Sequence, residues 1–248
     1  MNMNDIKDLV FQVYTYNDTE GIFINEKGID TRSLIVFVHG FNRFGAWELL
    51  WQTRRFVANG YAVFLPSQTG FGGSLGERDY CGPNTVDRMY DLITFFEEKS
   101  GQSFVKTIVW GASRGALVAT SLLVKDNQLF DAGILQAGIY DFRADYEWED
   151  KNEEMKKNIG TEAGLDEKSF VSRSPIFKVD EIQCPLLLMH GVEDDIISCE
   201  QTKMFSKALA SAGKDYEMVL LENQGHQISS PVNNKKYVYP FLEKILST

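Results

Sequence analysis

A short apolar stretch, Thr107-Ile108-Val109-Trp110, runs into Gly111-Ala112-Ser113-Arg114-Gly115, and a second apolar stretch from Ala116 to Val124 follows without a break. β-Branched and aromatic residues predict a strand over 106–110, and the longer run, apolar nearly all round, predicts a buried helix over 116–124. A Gly-x-Ser-x-Gly sequence alone is weak, because an ordinary glycine-rich loop satisfies it. Placed between a strand and a helix it becomes specific. A serine on that sharp turn has its hydroxyl lifted clear of the backbone, and the flanking glycines meet the close approach that the turn forces. Ser113 is therefore the candidate nucleophile.

The rest of the chain alternates in the manner such a turn requires. Strands are predicted over 9–16 and 21–25, joined at Asn17-Asp18 as an antiparallel edge hairpin, then over 33–38, 61–66, 132–140, 185–189 and 216–221. A helix after Phe41 is predicted to place Trp47, Leu50, Trp51, Val57 and Ala58 inward and to stop at Asn59-Gly60. Another starts at Pro83 with Val86, Met89, Ile93 and Phe96 inward. A third, after Ser198, is opened by a Ser198/Gln201 capping box, and a last one near Pro240 closes the chain. Alternating strands and helices imply an α/β fold, a mostly parallel sheet of about eight strands covered on both faces. At 248 residues one such domain accommodates residues 1–248. The rhythm breaks between Asp141 and Pro185, so residues 142–183 are expected to form a lid or cap insertion with one or two surface helices; a solvated charged insertion is the plainer alternative.

Ligands of such sheets sit at the carboxyl ends of the strands. His39, Ser113, Asp194 and His226 all follow apolar strands closely, so the fold should gather them along one edge. A serine hydroxyl needs a base, and histidine supplies one at neutral pH. Of the three histidines, His39 and His190 read as structural, and His226, after the last strand, occupies the place of the base in the order Ser, acid, His. The acid that orients it lies among Glu193, Asp194 and Asp195, with Asp141 read as a cap or turn residue. Backbone N–H groups of Phe41 and Arg114 are the candidate donors to a developing oxyanion, and the Arg114 side chain is read as a surface ion pair. Phe44, Phe71 and Trp148 are candidate substrate contacts, with plain packing as the alternative. Gly70-Phe71-Gly72-Gly73-Ser74-Leu75-Gly76 fails the dinucleotide spacing at Leu75 and reads as a turn beside the site.

Partners are bounded by charge. With 25 basic and 35 acidic residues the net charge is −10, which disfavours nucleic acid and anionic membrane. Met1 to Tyr16 lacks the basic start and long apolar run of a signal peptide, and Cys81, Cys184 and Cys199 are odd in number and widely spaced. A cytoplasmic protein with reduced thiols is expected, with no metal and no cofactor.

Taken together, the strand ending His39-Gly40-Phe41, the turn Gly111 to Gly115, Arg173-Ser174-Pro175-Ile176, His190-Gly191-x-x-Asp194 and Gly225-His226 resemble the α/β-hydrolase superfamily. Within it they resemble the prolyl oligopeptidase-like serine hydrolases, with dienelactone hydrolases as near relatives. The resemblance covers nearly the whole chain. It implies the α/β-hydrolase fold and, through the His-Gly-x-x-Asp pattern, selects Asp194 as the acid of a Ser113, Asp194, His226 triad. Three departures bear on substrate. Peptidases of that family carry a β-propeller, for which 248 residues are expected to leave no room. Many use a tyrosine hydroxyl in the oxyanion loop, where Phe41 and Asn42 stand here. Ala116 replaces a usual glycine. The expected activity is thus a carboxylesterase acting on small esters through an acyl-enzyme, with a peptidase or amidase on short peptides as the alternative. A hydrolase-fold binding protein without chemistry is the third possibility.

Overall fold

The computed structural model describes residues 9–27 and 33–247. Residues 1–8, part of the stretch read above as lacking a signal peptide, lie outside the described residues. Leu9–Tyr16 (β1) and Thr19–Glu26 (β2) pair antiparallel about Asn17-Asp18, both of which take positive φ (46° and 57°). Asn and Asp tolerate that conformation, and its twist matches a tight hairpin. The strands that follow are Ser33–Val38 (β3), Ala62–Pro66 (β4), Lys106–Ala112 (β5), Ala132–Gln136 (β6), Leu186–Gly191 (β7) and Tyr216–Leu221 (β8). They form one eight-stranded sheet in the order β1-β2-β4-β3-β5-β6-β7-β8, antiparallel from β1 to β4 and parallel from there on.

Alternation along β3 explains why its sequence is apolar throughout. Leu34, Val36 and Val38 point into one core and Ile35 and Phe37 into the other, so both faces are dry. The helices are Leu50–Val57 (α1), Pro83–Lys99 (α2), Arg114–Lys125 (α3), Phe142–Glu147 (α4), Glu153–Ala163 (α5), Glu167–Ser172 (α6), Glu200–Ser211 (α7), Pro231–Asn233 (α8) and Tyr239–Leu246 (α9). α1 and α9 cover one face with Phe56, Val57, Phe241 and Ile245; α2, α3 and α7 cover the other with Met89, Phe96, Leu117 and Phe205. Phe96 stacks on Phe64 of β4, ring centroids 4.1 Å apart. Cys81, Cys184 and Cys199 are free thiols, all buried.

Three local expectations are corrected. The helix after Phe41 begins as a 3₁₀ turn over Gly45–Leu49, and its three-residue repeat shifts the phase of everything after it. Trp47 and Trp51, expected inward, are 45% and 65% exposed, while Thr53, Phe56 and Val57 are buried. The strand read over 132–140 ends at Gln136, because Ala137 takes φ +47° and turns the chain out of the ladder. The Ser198/Gln201 capping box does not form: the Gln201 side chain instead accepts from the N–H groups of Tyr140 and Asp141 and donates to the Asp141 carbonyl. Near the C-terminus a π-helical turn over Asn234–Val238 precedes α9, which places Pro240 in a first turn where its missing N–H costs no hydrogen bond.

Candidate active site

The elbow between β5 and α3 is set by two steric contacts. A Cβ on Gly111 would lie 2.3 Å from the Gly115 carbonyl oxygen, and one on Gly115 would lie 2.2 Å from the Val38 carbonyl oxygen. Only glycine lets helix and strands close this far. Ser113 itself takes φ 57°, ψ −129°, a strained conformation for an L-residue. It is held by its N–H on the Gln136 carbonyl (2.8 Å) and by its own carbonyl, which accepts from Ala116 N–H (2.9 Å). The strain sets Oγ on the carboxyl edge of the sheet.

His226, on the loop after β8, places Nε2 3.0 Å from Ser113 Oγ and Nδ1 2.7 Å from Asp194 Oδ2. The loop is fastened from below by Asn233, which donates to Gln224 Oε1 (2.9 Å) and to the Ile228 carbonyl (2.7 Å). Asp194, after β7, is fully buried and fully bonded. Its Oδ1 accepts from the N–H groups of Ile196 and Ile197 (2.9 Å each), and its Oδ2 accepts from His226 and from His190 Nε2 (3.1 Å). Burial works against the charged carboxylate, yet the hydrogen bonds from His190, His226 and Ile197 outweigh it and hold the Asp194 carboxyl well below the ordinary range. The carboxylate therefore faces His226 as an anion. Glu193 and Asp195, the neighbouring candidates, make no bond to His226, and Asp141 caps α4 by accepting from Ala144 N–H.

The other two histidines have their ring nitrogens occupied. His190 Nε2 faces both Asp194 and the Ile197 carbonyl (3.0 Å), so it carries the proton, and Nδ1 accepts from Thr202 Oγ1 (2.7 Å). It is a second support for the acid, a role its position four residues before Asp194 makes possible and one the sequence did not disclose. His39 bonds the Gly40 carbonyl through Nδ1 (2.7 Å) and accepts from Gln68 N–H through Nε2 (2.9 Å). Burial, only partly offset by the bond to Gly40, lowers its pKa to about 4. Between pH 6.5 and 4 the unfolded chain takes up a proton at His39 that the folded chain refuses. Stability from this residue is therefore complete above pH 6.5 and is lost as pH falls toward 4, by about 3 kcal/mol. A nuclear magnetic resonance titration should find the His39 imidazole still neutral at pH 5.5; protonation there would contradict this burial.

Ser113 and His226 open onto a cavity of about 510 Å³ whose walls include Gly40, Phe41, Tyr80, Arg114, Ile139, Met155, Asn158 and Ile197. Phe41 and Arg114 carry the two candidate oxyanion donors, and as the first residue of α3 Arg114 has an N–H with no acceptor inside the helix. The three aromatic candidates fall outside these walls. Phe44 is exposed beneath the Arg43 guanidinium, Phe71 is buried against Arg78 and His39, and Trp148 ends α4. Spacing alone could not separate packing aromatics from lining ones.

Residues 142–183 hold α4, α5, α6 and a 3₁₀ segment over Pro175–Glu181, and they reach the cavity through Met155 and Asn158 of α5 and through Lys151. Two buried ion pairs bind this segment. Lys151 Nζ lies 2.6 Å from Asp145 Oδ1 and donates to the Ile196 carbonyl (3.1 Å), linking it to the Asp194 loop. Arg114 Nη1 lies 3.1 Å from Glu162 Oε2, so the Arg114 side chain is a buried pair and not the surface pair expected. Lys151→Met leaves the Asp145 carboxylate without its counter-charge in a site where burial already raises its pKa, and should cost about 3–5 kcal/mol in urea unfolding. Adding Asp145→Leu should recover most of that loss, and equal stability of the single variant and wild type would show the pair to be dispensable.

An elbow serine, a histidine and a buried aspartate at the carboxyl edge of an eight-stranded sheet are the layout of an α/β-hydrolase serine hydrolase. The model of the prolyl oligopeptidase family matches residues 47–246, and the chain belongs to that family. Dipeptidyl-peptidase 5 of Porphyromonas endodontalis is 30% identical over 200 residues, which cover 75% of this chain and 28% of that protein. The uncharacterized peptidase YtmA of Bacillus subtilis is 23% identical over 185 residues, covering 74% of this chain and 71% of that protein. Among solved structures, acylaminoacyl peptidase of Pyrococcus horikoshii superposes with a TM-score of 0.80 at 20% identity over 97% of this chain and 42% of that one. A puromycin hydrolase superposes at 0.77 and 19% identity over 89% of this chain and 36% of that one. The chain thus spans under a third of the dipeptidyl-peptidase and about two fifths of the acylaminoacyl peptidase.

Proposed function

We propose that this serine hydrolase cleaves amide bonds of short peptides through an acyl-enzyme. The observation that carries the mechanism is the continuous hydrogen-bond chain from Ser113 through His226 to Asp194, opening on a cavity. Ser113 Oγ attacks the carbonyl while His226 Nε2 takes its proton. Asp194 fixes the imidazole tautomer and stabilises the imidazolium. The N–H groups of Phe41 and Arg114 receive the oxyanion, each worth roughly 3 kcal/mol. His226 then returns the proton to the departing amine, and water repeats the sequence to free the acid. Membership of the prolyl oligopeptidase family, and relatives named as peptidases, support amides over the esters expected from the sequence.

Small carboxylic esters remain the second reading, favoured by one observation. The loop after Gly40 presents Phe41, whose side chain has no hydroxyl to add a side-chain donor for the oxyanion. Release of p-nitroaniline from aminoacyl and dipeptidyl anilides, beside p-nitrophenol from acetate, butyrate and octanoate esters, separates the two. Anilide turnover that Ser113→Ala abolishes supports the peptidase; esters cleaved with every anilide refused would move the assignment to esterase.

A further inference from the structure

Arg114 follows the nucleophile directly, and its side chain is folded into the cavity wall at 7% exposure. Its guanidinium carbon lies 3.6 Å from the Tyr80 ring centroid and 4.8 Å from that of Phe41, and both rings line the same cavity. A guanidinium uses its faces for aromatic rings and its edges for acceptors. Here the faces are supplied and the edges are only partly used. Nη1 is on Glu162, whereas Nε and Nη2, the pair whose geometry fits both oxygens of a carboxylate, meet no second carboxylate and no carbonyl oxygen among the described residues. The Tyr80 hydroxyl on the same wall is buried beside the guanidinium. The other buried cation nearby, Lys151, is already engaged by Asp145 and the Ile196 carbonyl. Glu162, on α5, anchors the guanidinium and also competes for it.

We propose that Arg114 reads a carboxylate on the substrate's acyl residue, so that the enzyme prefers Glu or Asp on the amino side of the scissile bond. The placement follows from the residue's two ends. Its N–H is a proposed donor to the carbonyl under attack, and its side chain reaches the wall of the cavity that receives the residue owning that carbonyl. This rests on the serine-hydrolase reading above and names the substrate class within it. A desolvated, bidentate pair of this kind should favour the acid over its neutral amide by roughly 10- to 100-fold.

The test compares acetyl-Gly-Glu and acetyl-Gly-Gln p-nitroanilides, with the corresponding p-nitrophenyl esters alongside, and reads the Glu/Gln ratio of kcat/KM. The ratio cancels any general loss of rate in a variant. Wild type should give at least 10, Arg114→Gln should bring the ratio near 1, and Glu162→Gln, which frees the guanidinium, should raise it several-fold. Because Arg114→Gln removes a buried ion pair and could fail to fold, Glu162→Gln carries the test independently. Labelling of Ser113 by a fluorophosphonate is run in parallel. A wild-type ratio at or below 1 with Ser113 labelled overturns the acidic preference and leaves the hydrolase reading standing. A ratio unchanged or lowered by Glu162→Gln overturns it too. No turnover of either acyl group and no labelling would remove both.

Discussion

Ser113→Ala should lower kcat/KM by about 10⁴- to 10⁶-fold on whichever substrate the protein turns over best, leaving the rate that the oxyanion donors and binding alone sustain. The expectation follows from the geometry at Oγ. Among the described residues, Ser113 Oγ is the hydroxyl hydrogen-bonded to His226 Nε2, at 3.0 Å. Alanine keeps a Cβ, so the strained turn, its two hydrogen bonds and the steric fit of Gly111 and Gly115 are undisturbed. The variant should therefore unfold at the same urea concentration as wild type, and steady-state kinetics then report chemistry alone. A fall of tenfold or less would mean that catalysis runs through another group.

Asp194→Asn is expected to cost about 10⁴-fold in kcat with a smaller effect on KM. The loop geometry fixes how the amide must sit. The N–H groups of Ile196 and Ile197 both point at Oδ1, so the amide oxygen stays there and the NH₂ group turns toward Oδ2's two partners. His226 Nδ1 then meets a donor in place of an acceptor and gives up its proton, which moves to Nε2 and faces Ser113. An imidazole in that tautomer cannot accept the serine proton. His190 Nε2 meets the same donor, so the substitution also disturbs the second support. Burst kinetics with an activated ester check this: the acyl-enzyme should form about 10⁴ times more slowly, and an unchanged burst would show that Asp194 does not orient His226.

Much of the layout was legible in the sequence because its physical causes are local. The apolar runs of β3, β5 and β7 demand cover on both faces, and the glycines of the elbow demand a close crossing. Residues Ser113, Asp194 and His226 follow strands, and a parallel sheet carries strand ends to one edge, so their convergence could be anticipated. The structure then separates Asp194 from Glu193 and Asp195, which composition and order of the loop could not do without the family resemblance. What the sequence hid depends on long-range packing. Trp47 and Trp51 look like core residues until a 3₁₀ turn rotates them outward. Gln201 looks like a capping residue until the chain after β6 arrives with two unpaired N–H groups. The Arg114–Glu162 pair joins residues 48 apart in the chain, and the Lys151–Asp145 pair, only six apart, is buried by the Ile196 loop that packs over it, which nothing in its neighbours announces. Phe44, Phe71 and Trp148 illustrate the converse, since an aromatic near a loop is as able to pack as to line a cavity.

The most direct test of the Ser113, His226, Asp194 mechanism is mass spectrometry of the protein after incubation with a fluorophosphonate. A single adduct on the peptide that contains Ser113, formed by wild type and lost in His226→Ala, is the expected result. No adduct, or an adduct on any other residue, would contradict the assignment of Ser113 as the nucleophile.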